Sequence, residues 1–179
     1  MTPRQRAWPR EWLMTDERLG ENLWPAVGRL PDGAAGIVFR HYATPLAKRR
    51  ALAIELADMC LRRRLILSVA GDVQLAEAVG AALVHNPRAS TCLPVSMSVH
   101  SAQEAARARE AAAALVFISP VYATRSHPDR APLRLENAVE LAGMAGVPAI
   151  ALGGMDRERF AAFPPGAFHG WAGVDAWLG

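Results

Sequence analysis

The sequence predicts one α/β domain of repeating strand–helix units, a minimal (β/α)8 TIM barrel that lacks its final helix. Three observations carry this prediction. Short apolar runs alternate with longer, alanine-rich stretches of helical period. Eight such runs are present, the number that closes a parallel barrel. Polar residues gather just past the runs, where ligands collect in parallel folds. The 179 residues suit a single domain spanning 1–179, but an ordinary barrel has roughly 250. Only Asp175 to Gly179 remain after the eighth run, too few for a closing helix. A doubly wound open sheet is the alternative, and it would put a glycine-rich turn after the first strand. Met14-Thr15-Asp16 stands there instead.

Glu11 to Met14 reads as the first strand, and Leu23 to Val27 as a short helix before the Pro31-Asp32-Gly33 turn. Gly36 to Arg40 is the second strand. Thr44-Pro45, a capping residue followed by proline, starts a helix that runs to about Leu61, with Leu46, Leu52, Leu56 and Met59 along its stripe. Leu65 to Val69 is the third strand, after which Asp72 is placed to cap a helix over Gln74 to Val79. Ala82 to His85 is the fourth, closed by Asn86-Pro87, and the stretch to Pro94 is too short for a helix.

Pro94 to Val99 forms the fifth strand. Ser101 and Glu104 then have capping-box spacing ahead of a helix over Ala102 to Ala113. Leu115 to Ser119 is the sixth strand, followed by a long loop, Pro120 to Pro132. Leu135 to Ala145 is helical and Gly146 ends it. Val147 to Leu152 is the seventh strand, Asp156 to Phe163 a short helix broken by Pro164-Pro165, and Phe168 to Val174 the eighth strand.

Hydrophobic residues make up 51% and charged residues 21%, which argues against a disordered chain. The longest apolar run, Ala111 to Val121, is too short to span a membrane, and no signal-like segment follows Met1 to Arg10. The net charge is +3, from 20 basic and 17 acidic residues, and Lys48 is the only lysine. Lys48-Arg49-Arg50 and Arg62-Arg63-Arg64 flank one helix and read as its solvated rim, with no nucleic-acid recognition motif beside them. Cys60 and Cys92 are too few for a disulfide scaffold or a zinc site, so a reducing, cytoplasmic setting is expected.

Four of the five histidines, His41, His85, His100 and His127, fall at the strand-end face. The candidate acid–base and charged groups there are His100, His127 and Arg40. Thr15, His85, Ser98 and Ser119 close strands and are candidate substrate contacts, joined by Thr124, Arg125 and Ser126 in the long loop. Gly153 and Gly154 could turn backbone N–H groups toward a phosphate, or simply make a tight turn. Asp16 and Asp72 are the available carboxylates, and Asp72 is a weak candidate metal ligand. A plainer reading competes with all of these, since strand ends on a barrel collect polar residues anyway.

Several segments, in order, carry a resemblance. Leu13-Met14-Thr15-Asp16, Gly36 to Arg40, Val84-His85, Ser98-Val99-His100-Ser101 with Glu104-Ala105, Ser119 to Thr124, and Val147 to Met155 are involved. Together they resemble the thiamine phosphate synthase and thiazole tautomerase (TenI-like) superfamily along nearly the whole chain. The resemblance implies a TIM barrel, often dimeric, acting in thiamine biosynthesis on a small anionic heterocycle. A synthase would join a pyrimidine diphosphate to a thiazole phosphate, with Mg2+ holding the diphosphate. A tautomerase would move a proton on a thiazole without metal. A barrel that only binds its ligand is the third reading.

Residue by residue, the family's arginine after strand two is kept at Arg40, and its lysine falls on Tyr42. The Asn-Asp pair falls on Ala70-Gly71, with Asp72 one position on. The acidic segment after strand four becomes Asn86-Pro87-Arg88, and the later lysine becomes His127.

Overall fold

Parallel strands covered by helices are buried on both faces, so they need consecutive apolar residues rather than alternation. Ala35–Phe39 and Ile66–Ala70 are of that kind, buried at every position. In the computed structural model, which describes residues 8–123 and 131–178, the strands are β1 (Glu11–Met14), β2 (Ala35–Phe39), β3 (Ile66–Ala70), β4 (Leu83–His85), β5 (Val95–Val99), β6 (Leu115–Ile118), β7 (Ala149–Leu152) and β8 (Gly170–Gly173). They form a closed parallel barrel in chain order, and β1 pairs with both β2 and β8. That last pairing excludes the open-sheet alternative.

The alternating side chains build two cores. One fills the barrel axis with Trp12, Met14, Val38, Ile66, Leu83, Leu115, Phe117 and Ile150. The other lies between the strands and the helices and includes Leu13, Ile37, Phe39, Val69, Leu56 and Leu141. Trp12 is the largest axial side chain and meets Phe117 edge to face, with centroids 5.7 Å apart. Its register neighbours are Gly36 on one side and Ala172 on the other. A Cβ at Gly36 would lie 2.4 Å from the indole, so glycine is what lets the ring cross the axis.

The helices are α1 (Leu23–Gly28), α2 (Leu46–Arg63), α3 (Val73–Ala78), α4 (Ala102–Glu110), α5 (Leu135–Ala145) and α6 (Arg157–Ala161). Asp72 caps α3 as expected, accepting from Leu75 N at 2.9 Å, and Gly146 ends α5 in the left-handed region. Thr44 does not cap α2. Its hydroxyl and amide both donate to Glu17 Oε1, and Pro45 holds the cap position without a side-chain bond. The alanines from 111 to 113, expected to stay helical, leave α4 through Ala112 at φ 49°. Ala114 N must reach Val95 O at 2.8 Å to enter β6, and that strand pairing overrides helix propensity.

Among the described residues no helix joins β4 to β5, and a 3-10 turn, Asp175–Trp177, follows β8. Trp177 stacks on Trp171 with centroids 5.1 Å apart and donates from Nε1 to Trp12 O at 3.2 Å, while Arg29 Nη1 holds its carbonyl at 3.0 Å. The turn thus packs over the β1–β8 seam. Among the described residues, no helix is long and apolar enough to cross a membrane.

Two stability predictions follow from this packing. Gly36→Ala should overpack the axis and cost about 1–3 kcal/mol in urea unfolding. Trp177→Ala should cost about 3–5 kcal/mol, the range for losing a buried indole. An unchanged midpoint in Trp177→Ala would mean that the terminal turn does not seal the barrel.

Candidate functional site

The strand ends converge on a cavity of about 540 Å³ at the C-terminal mouth of the barrel. Arg40 enters it from the end of β2. Thr15, fully buried at the end of β1, accepts from Arg40 N through its hydroxyl (3.2 Å) and from Arg40 Nε through its carbonyl (3.2 Å). Thr15 therefore holds Arg40 rather than meeting a ligand, a correction to its expected role as a substrate contact. Burial lowers the Arg40 pKa from its ordinary value, an effect opposed by Asp16, whose Oδ2 lies 3.5 Å away. His41, expected at the same face, is buried instead. It stacks on Phe39 and pairs with the Thr15 hydroxyl at 3.1 Å.

The wall opposite is a polar network from β4 and β5. Ser98 N donates to Asn86 Oδ1 at 2.9 Å, which fixes the orientation of that amide. Asn86 Nδ2 then points its two hydrogens toward Ser98 Oγ (3.0 Å) and His85 Nε2 (3.2 Å). His85 Nε2 must be the acceptor, so the proton sits on Nδ1, which lies 3.1 Å from Ser96 Oγ. Burial, with Arg40 and His100 adding like charge, pushes the His85 pKa down to about 3. His85 is thus a neutral imidazole, packed edge-on against Phe117, and Ser98 also lies 3.1 Å from its Nε2. Asn86 adopts φ 45°, a left-handed conformation that asparagine tolerates better than most residues.

His100, at the end of β5, pairs through Nδ1 with Glu104 Oε2 at 3.0 Å, and its amide donates to the same oxygen at 2.6 Å. Ser101 caps α4 through Glu104 N as the spacing predicts, but the Glu104 carboxylate turns back to His100. This orients the ring and leaves Nε2 for the cavity that His100 lines.

The third wall is Ser119-Pro120 after β6 and Gly153-Gly154 after β7. A Cβ at Gly153 would meet Pro120 Cα at 2.9 Å, and one at Gly154 would meet Ala123 O at 2.5 Å, with both φ angles positive. Close approach of the two loops therefore requires both glycines. Asp156 caps the short α6, while Arg159 donates to Gly154 O and lies over the Tyr122 ring.

Arg40, His85, Ser98, His100, Ser119, Gly153 and Gly154 all share the cavity. Thr124, Arg125, Ser126 and His127 lie outside the described residues. Asp72 lies in a neighbouring cleft, not the main cavity. There its carboxylate accepts from Arg49 Nη1 at 2.7 Å as well as capping α3, so the expected metal ligand is already engaged. Asp16 is gripped by Arg18, at 2.8 Å and 3.2 Å, besides facing Arg40. Among the described residues no three histidine, cysteine or acidic side chains group to hold a metal. Asp16 and Asp72, both already engaged by guanidinium groups, are poorly placed to offer a carboxylate to Mg2+. Sequence reasoning missed the His100–Glu104 pairing and the orienting role of Asn86. Glu104 had been absorbed by a capping pattern, and Asn86 by a turn signal.

A protein from Aquifex aeolicus (strain VF5) named "Putative thiamine-phosphate synthase 2" is 26% identical over 182 residues, covering 95% of this chain and 98% of that protein. The "Thiamine biosynthesis bifunctional protein ThiM/ThiE" of Symbiobacterium thermophilum is 30% identical over 164 residues, which cover 84% of this chain and 34% of that longer protein. The solved thiamine phosphate pyrophosphorylase from Pyrococcus furiosus superposes with a TM-score of 0.81 at 21% identity, covering 96% of this chain and 88% of that one. Residues 13–176, from β1 to the terminal turn, match the TMP-TENI family described as thiamine monophosphate synthase, and the chain belongs to that family.

Proposed function

We propose that this chain is a thiamine phosphate synthase-like enzyme of thiamine biosynthesis, acting in the cytoplasm on small anionic heterocycles. The observation that supports this most is the convergence of Arg40, the His85–Asn86–Ser98 network and the Gly153-Gly154 edge on one cavity. In the joining reaction, the bond from the pyrimidine methylene carbon to diphosphate oxygen breaks, and the oxygen keeps the electron pair. The thiazole nitrogen then donates its lone pair to that carbon. No proton need move at the nitrogen, so the protein's task is orientation and neutralisation of the leaving anion.

Arg40 suits the second task, because Thr15 fixes its fork and leaves the guanidinium at the mouth. Neutral His85 and its two partners form a fixed polar wall for a heterocycle with donors and acceptors on its edge. The Gly153-Gly154 turn, which lines the cavity after β7, is the proposed seat of the thiazole phosphate, met there by backbone groups. His100, oriented by Glu104, lines the same cavity and is placed to hydrogen-bond the substrate. The free thiols Cys60 and Cys92 suit a reducing compartment.

Purified protein given pyrimidine diphosphate and thiazole phosphate, with and without Mg2+, should form thiamine phosphate detectable by mass spectrometry. Arg40→Ala should lower kcat/KM by roughly 10–100-fold, the range for losing a charge-assisted hydrogen bond. No product at high enzyme concentration would sink the joining reaction, and conversion of a thiazole isomer alone would replace it with isomerisation.

The reading also needs a neutral His85. Nitrogen-15 NMR should show the Nδ1–H tautomer unchanged from about pH 8 down to about pH 4, because the folded pKa is about 3. The unfolded imidazole takes up its proton near pH 6.5, so this group should erode stability as pH falls from about 6.5 toward 3. An imidazolium signal in the folded state at pH 5 would contradict the network.

A further inference from the structure

Beside the main cavity, the loops after β2, β3 and β4 enclose a second cleft of about 310 Å³. Tyr42 lines both spaces, so they are contiguous at that residue. The cleft contains Arg49, Asp72 and Arg88 as its charged groups. Arg49 and Asp72 compensate one another at 2.7 Å, and a second nitrogen of Arg49 donates to Ala70 O at 2.9 Å. Arg88 has no carboxylate partner among the described residues, so the cleft keeps one uncompensated positive charge.

The position of Arg88 is built rather than incidental. Its amide donates to Gly71 O at 3.2 Å, and Gly71 N donates to His85 O at 2.8 Å, which ties its loop to the β4 end. Its guanidinium carbon lies 5.8 Å from the Tyr42 ring centroid. Gly71, at φ +76°, leaves room for both, since a Cβ there would come within 3.4 Å of Arg88 Nε and 3.6 Å of Tyr42 Cε1. The guanidinium, exposed to solvent beside the ring, offers paired N–H donors of the spacing that matches two oxygens of a phosphoryl group.

We propose that this cleft is a metal-independent subsite for a phosphoryl or diphosphoryl group, with Arg88 as its cation and the rest of the ligand in the main cavity. The charge compensation that a carboxylate-bound divalent ion would give is supplied here directly by a guanidinium. For the identity of the ligand the proposal rests on the joining reaction above, but anion binding can be measured apart from turnover.

The test is calorimetric titration of the full chain with inorganic pyrophosphate, in EDTA and again with excess Mg2+. Saturable binding in EDTA that Mg2+ does not tighten is expected. Arg88→Ala should weaken binding at least roughly tenfold and Arg88→Lys less, with melting curves confirming that each variant is folded. Binding that requires Mg2+ would overturn the proposal. So would wild-type affinity in Arg88→Ala, which would leave the anion to Arg40 alone. Weakened binding in Arg88→Ala without any thiamine phosphate formation would uphold the subsite and sink the joining reaction. Product formation with unchanged affinity would do the reverse.

Discussion

The structure depends on Trp12 crossing the barrel axis. Parallel strands close into a barrel only if the interior is filled, and here one indole fills what several medium side chains would otherwise occupy. Glycine and alanine stand beside it in register, so β1 can sit close to both β2 and β8. The same residue anchors the seam at both ends. Its carbonyl accepts from Trp177 and its indole N–H donates to Pro9 O at 2.8 Å. Once β1 is fixed, Thr15 N pairs with Val38 O at 2.9 Å, and Thr15 can hold Arg40. The position of the mouth's principal cation is thus a consequence of packing at the axis.

Arginine then shapes the electrostatics of the mouth. With 20 basic residues of which only Lys48 is lysine, carboxylates near strand ends meet planar guanidinium groups rather than mobile ammonium groups. Asp16 is held by Arg18 and Arg40, and Asp72 by Arg49. Each pair is partly buried and removes a carboxylate from competition for a cation. Among the described residues, groups that can meet an anion in the cavity and its neighbouring cleft include Arg40, Arg88, Arg159 and turned backbone.

Much of the fold was legible because a parallel barrel repeats a simple rule: a short apolar run, a turn with a polar residue, a helical stripe. The bare β4–β5 connection was legible too, since Pro87 to Pro94 cannot hold a helix. The site was less so, because sequence period identifies a strand end without saying which way the last side chain points. Thr15 and Arg40 both close strands, yet one is sealed beneath the mouth and the other opens into it. Ser101 and Glu104 illustrate a second limit. A three-residue spacing satisfies the capping of α4, but the same carboxylate is four residues from His100 and orients its ring. Asp72 was read correctly as a cap, and that role together with Arg49 is what removes it from metal binding.

The polar wall shows how a site can be rigid without ionised partners. A charged His85 would face Arg40 and His100 across a poorly solvated interior, and burial alone disfavours its proton. Neutrality requires a specified tautomer, and Asn86 supplies the specification because its own amide is fixed by the Ser98 backbone. Ser98 Oγ then accepts from Asn86 and retains its own proton to offer to His85 or to a ligand acceptor. Such a wall is suited to reading the edge of an uncharged ring. It is poorly suited to removing a proton, since an imidazole with a pKa of about 3 is a weak base. A reaction that makes a carbon–nitrogen bond at an unprotonated ring nitrogen places no such demand.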